Sequence, residues 1–77
     1  MKDMIEFIVK NLADEPDAVE VNMTESDARH SHFKLHVSSA DCGKVIGRKG
    51  RTIHAIRMLL SAASGDDHKA TLEVVEP

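Results

Sequence analysis

A chain of 77 residues, 42% of them hydrophobic, has room for one small domain and for no deep catalytic cavity. It contains neither Trp nor Tyr, so the core is expected from Ile, Leu, Val and Met. Phe7 and Phe33 both fall on core-type positions, which removes aromatic base stacking as a main source of affinity. A single cysteine, Cys42, excludes an internal disulfide, no Cys/His spacing fits a zinc finger, and no run is long or apolar enough to enter a membrane. These features point to the cytoplasm.

Met1, Met4, Ile5, Ile8, Val9 and Leu12 recur at helical spacing and predict an amphipathic helix from Met1 to Ala13, with Phe7 widening the stripe. Pro16 ends it, because the residue before a proline is pushed away from helical dihedrals. Val19, Val21 and Met23 then alternate with Glu20, Asn22 and Thr24, as a half-buried strand does. After a polar turn at Glu25–Asp27, Phe33, Leu35 and Val37 alternate with His30, His32, Lys34 and His36. So short a link predicts an antiparallel hairpin. Ser39-Ala40-Asp41 carries N-cap chemistry for a short helix ending at Ile46. Ile53, Ile56, Leu59, Leu60 and Ala63 mark a helix from Arg51 to Ala63, stopped by Ser64-Gly65, and Leu72 and Val74 mark a last strand. The last two strands, joined through helices, should run parallel.

Between the last two helices lies Gly43-Lys44-Val45-Ile46-Gly47-Arg48-Lys49-Gly50-Arg51-Thr52-Ile53. Gly47 and Gly50 allow positive φ and close approach of another backbone, and they bracket two cations. The helix start that follows leaves backbone N–H groups free beside the turn, a ready site for phosphate. The charge distribution agrees. From Asp41 to Asp66 no acidic residue intervenes, and Lys44, Arg48, Lys49, Arg51 and Arg57 give that window +5 against −8 for the rest of the chain.

Val45-Ile46-Gly47-Arg48-Lys49-Gly50-Arg51-Thr52-Ile53 resembles the Ile-Gly-x-x-Gly-x-x-Ile signature of the KH domain, whose GXXG loop clamps about four nucleotides of single-stranded backbone. The order helix, strand, strand, helix, turn, helix, strand is that of the type II arrangement and covers nearly the whole chain. The fold implied is α+β, α-β-β-α-α-β, with a three-stranded mixed sheet and three helices on one face, over 1–77 as a single KH domain. Size and order are similar to the KhpA proteins, small bacterial single-KH RNA-binding proteins. The resemblance assigns Gly47, Arg48, Lys49 and Gly50 to the phosphate clamp. It places Val45, Ile46 and Ile53 at an apolar groove wall, a position that ordinary helix-on-sheet core explains equally well. Lys44 and Arg51 would add phosphate contacts. Arg57 reads as a solvated charge.

The function implied is non-catalytic binding of single-stranded RNA, as a post-transcriptional chaperone or adaptor, with no cofactor. The partners implied are a second copy of the chain and a larger KH protein of the KhpB (Jag) type. Two alternatives stand beside it: a dimerisation module built on the helix face around Ile53, Ile56 and Leu60, and a binder of single-stranded DNA. The loop from Gly65 to Lys69, in the place of the family's variable loop, is short and carries two aspartates, so binding is expected to be weak and shape-tolerant. With two to four phosphates neutralised, the log–log salt slope would be roughly −1.5 to −3. His30, His32 and His36 share one strand face, which reads as a wet surface rather than a metal site. His54 reads as a surface residue and Cys42 as a half-buried thiol without a base in reach.

Overall fold

The computed structural model describes residues 1–76, and for Glu25 the backbone alone. Its elements follow the expected order: α1 (Lys2–Leu12), β1 (Glu20–Ser26), β2 (His30–His36), α2 (Ser39–Ile46), α3 (Arg51–Ser64) and β3 (Lys69–Val75), with short 3-10 turns at Pro16–Ala18 and Arg48–Gly50. The sheet order is β1-β2-β3. β1 pairs antiparallel with β2, and β2 pairs parallel with β3. This is the α+β, α-β-β-α-α-β arrangement of a type II KH domain, with three helices and a mixed three-stranded sheet.

The alternating strands and the amphipathic helices bury their apolar sides against one another. Ile5 and Val9 of α1, Val21 of β1, Phe33 and Leu35 of β2, Val45 of α2, Ile53, Ile56 and Leu60 of α3, and Leu72 of β3 share one core. Along β2, every second residue is buried and the histidines and Lys34 between them are half-buried on the other side. That period of two sets the register, because a slip of one residue would turn Phe33 and Leu35 to solvent.

Several side chains depart from the sequence reading. Phe7 is 71% exposed. At 100° per residue it stands about 200° from Ile5, on the far side of α1, and so cannot widen the buried stripe. Met1 and Leu12, at the ends of the stripe, are exposed, as is Met23, beside the slip in register between Met23 and Glu25. Leu59 is 52% exposed, because the buried arc of α3 runs through Ile53, Ile56 and Leu60 and stops short of it.

The joint between α1 and α2 is polar. Asp41 is fully buried, and its carboxylate accepts the backbone amides of Asp14 (3.0 Å) and Glu15 (2.9 Å) and the Ser38 hydroxyl (3.1 Å). Ser38 is the N-cap of α2, so Asp41 does not cap its own helix as expected; it secures the chain leaving α1. Pro16 holds Glu15 at φ −118°, ψ 73°, outside the helical region, which brings two successive amides toward that carboxylate. The donated hydrogen bonds hold the Asp41 pKa below the usual carboxylate range, those of Asp14 and Glu15 contributing most.

Candidate nucleic-acid interface

α2 ends and α3 begins within four residues, and the turn between them depends on backbone conformations that most residues avoid. Gly47 has φ +77° and ψ 172°, and its amide donates to Gly43 O at 2.8 Å, closing α2. Lys49 (φ 57°, ψ 26°) and Gly50 (φ +74°, ψ 16°) are both left-handed. A non-glycine residue in that region costs about 1–2 kcal/mol, so Lys49 is held there by its surroundings. The two glycines are required for different reasons. A Cβ on Gly47 would lie 2.3 Å from Thr52 Oγ1 and 2.9 Å from Thr52 N, whereas one on Gly50 would meet nothing closer than Ile53 Cγ2 at 4.0 Å.

This geometry presents the start of α3 to solvent. No side chain caps it, and its first turn contains no acidic residue. Its positive end is therefore unneutralised, and Arg48, Lys49 and Arg51 are exposed around it. Among the described residues none of these three pairs with a carboxylate. The amides of Gly50 and Arg51 are not free as the sequence suggested, since they donate to Gly47 O and Arg48 O. The uncapped helix N-terminus and three free cations form the surface that attracts phosphate.

The other sequence-predicted residues divide. Ile46 is half-buried and borders the turn, but Val45 has no exposed surface and Ile53 is 6% exposed, so both serve the core beneath. Lys44 bonds the Asp14 carboxylate, which raises its pKa above the usual lysine value. The pair is exposed to solvent and joins Lys44 to the end of α1. Arg57 is not a plain solvated charge: Nε and Nη2 both donate to Leu72 O of β3, each at 3.1 Å. No local sequence pattern could pair residues on different elements in this way.

On the opposite side of the sheet, His32 Nδ1 lies 2.6 Å from Thr71 Oγ1 and its Nε2 3.4 Å from Glu73, whereas His68 shares a hydrogen bond with Ser31, a buried residue in phase with Phe33 and Leu35. The Glu73 carboxylate approaches His32, yet no three His, Cys, Asp or Glu side chains among the described residues are grouped to hold a metal ion. Cys42 is half-buried. No helix among the described residues is long and apolar enough to cross a membrane.

Comparison with known proteins agrees with the geometry. The family described as KhpA/KhpB, KH domain, matches residues 2–75. The RNA-binding protein KhpA of Chlamydia caviae is 46% identical over 78 residues, covering 99% of this chain and 97% of its own. KhpA of Borreliella burgdorferi is 43% identical, covering 96% and 90%, and that of Listeria monocytogenes serovar 1/2a is 43% identical, covering 99% and 100%. The chain therefore belongs to the KhpA/KhpB family of KH domains.

Proposed function

We propose that this chain binds single-stranded RNA without catalysis, gripping the sugar-phosphate backbone at Gly47-Arg48-Lys49-Gly50 and acting as one KH domain. The observation that carries the reading is the uncapped, acid-free start of α3, ringed by three unpaired cations at a turn that needs Gly47. The KhpA relatives named above are RNA-binding proteins, which supports the same ligand class. Arg48 and Lys49 neutralise phosphates, Arg51 adds a third contact, and Ile46 offers the exposed part of an apolar wall. Binding is weak and tolerant of sequence, in keeping with a cytoplasmic RNA chaperone or adaptor. Anisotropy of labelled single-stranded RNA with wild type and Arg48→Asp/Lys49→Asp tests this, and a DNA oligomer of the same sequence reports any dependence on the 2′-hydroxyl.

A second reading, a self-associating module, draws on exposed Met58 (61%) and Leu59 (52%), neighbours on the outer side of α3. The face around Ile53, Ile56 and Leu60 named from the sequence cannot serve, since those residues are buried within the chain. The two readings are compatible, because a dimer of weak binders, or a pairing with a larger KH protein of the KhpB (Jag) type, raises affinity through avidity.

A further inference from the structure

His30, His32, Lys34 and His36 alternate with the buried residues of β2, so they lie on the face of the sheet turned away from the core. The parallel register sets His32 beside Thr71, with Glu73 two residues further along the same side of β3. Thr71 Oγ1 lies 2.6 Å from His32 Nδ1 and 3.5 Å from His30 Nε2, so nitrogens of two imidazoles converge on one hydroxyl. At the other end of its ring, His32 Nε2 stands 3.4 Å from the Glu73 carboxylate. A carboxylate only accepts, so Glu73 takes the Nε2–H and leaves Nδ1 with its lone pair toward Thr71. The hydroxyl has one proton to give, and the shorter contact, to His32, takes it.

An imidazole whose far N–H donates to a carboxylate is the form in which proteins hold histidine for a metal. His32 is set in that form by Glu73, and His30 presents a second ring nitrogen to the same point. No group of three His, Cys, Asp or Glu side chains forms here among the described residues. The unit on offer is smaller: two nitrogens, with the Thr71 oxygen beside them and water for the remaining positions. Both rings are half-buried at the surface, and rotation about their side-chain bonds brings the two nitrogens to the separation of about 2.0–2.1 Å that Zn2+ needs from each.

We propose that His30 Nε2 and His32 Nδ1 chelate a divalent late transition-metal ion of the Zn2+ class, with Glu73 holding the His32 ring in the ligating tautomer. Imidazole selects Zn2+, Cu2+ and Ni2+ over Mg2+ and Ca2+, which prefer oxygen. The Glu73 carboxylate also offsets part of the charge of the ion. The nitrogens come together only when β2 and β3 are paired, so the ion binds the folded chain and stabilises it. If these histidines were only a wetted face, the metal would not distinguish them from His36 or His54.

The test is titration of the full chain with Zn2+, followed by NMR of its five histidine rings, with Mg2+ as the control. The His30 and His32 rings should shift together and saturate at one equivalent, and Mg2+ should move neither. His32→Ala and His30→Ala should each abolish saturable binding, and Glu73→Ala should weaken it about tenfold or more. Saturating Zn2+ should raise the melting midpoint of wild type and leave that of His32→Ala unchanged. Circular dichroism shows each variant folded, and the ring shifts of wild type decide the matter even where a variant is not. Equal response of all five rings overturns the assignment, as does no response at millimolar Zn2+. Binding that survives in both histidine variants, or that is lost in Cys42→Ser, overturns it too.

Discussion

The Thr52 hydroxyl oxygen stands 2.3 Å from where a methyl group on Gly47 would be, so the first residue of the turn and the second residue of α3 lie together with no room for a side chain between them. That close approach allows α2 to hand over to α3 within four residues, with no side chain capping the start of α3. Gly47→Ala combines a left-handed φ with a backbone clash and should cost about 3 kcal/mol or more. Gly50→Ala meets only the conformational cost, about 1 kcal/mol, or roughly 5 °C in a domain of this size. Thermal melts of the two variants should therefore differ clearly, with Gly47→Ala the less stable.

Asp41 links stability to pH. Its folded pKa lies below the ordinary value of 3.8, so the stability it contributes is fully present above that value and is lost as pH falls through the lower, folded pKa. Asp27, whose carboxylate accepts the amides of Arg29 and His30, acts in the same direction. Wild type should hold its melting midpoint down to about pH 4 and lose it below. Asp41→Asn, which cannot accept both amides, should melt about 10 °C lower at pH 7 and show a shallower acid slope, the remainder coming partly from Asp27.

The ion pair between Lys44 and Asp14 makes an opposite-signed prediction for RNA. Lys44→Ala should change RNA affinity less than Arg48→Ala does. Asp14→Ala frees the Lys44 ammonium beside the loop while leaving the backbone amide bonded to Asp41. It should strengthen RNA binding and steepen the log–log salt slope by up to about 0.7. Titrations at several salt concentrations read both quantities.

Self-association, where it occurs through α3, should follow the exposed residues and spare the buried ones. Met58→Ser/Leu59→Ser should keep the melting midpoint within a few degrees and shift sedimentation toward the monomer. Ile53→Asp buries a charge in the core and should unfold the chain, so a dimer lost in that variant says nothing about the interface.

How much of this was legible in the sequence differs by element. The hairpin was readable because Val21, Phe33, Leu35 and Val37 keep strict alternation, and the parallel pairing followed from the two helices between β2 and β3. The loop was readable because glycines at Gly47 and Gly50 and the cations between them are local signals. Asp41 was not, since its partners Asp14 and Glu15 lie 27 and 26 residues away and its spacing suggested a local cap. Arg57 was missed for the same reason: its partner is a backbone carbonyl on another element. Phe7 misled because hydrophobic type was allowed to outweigh its angle on the helix.

The central claim is that Arg48 and Lys49, presented between Gly47 and Gly50, hold single-stranded RNA by its phosphates. The most direct measurement is anisotropy of labelled single-stranded RNA across a salt series, with wild type and Arg48→Asp/Lys49→Asp, circular dichroism showing both folded. Wild type should bind with a slope of roughly −1.5 to −3, and the double variant should not bind at the same concentrations. Equal binding by both, or none by wild type at micromolar concentration, would contradict the account.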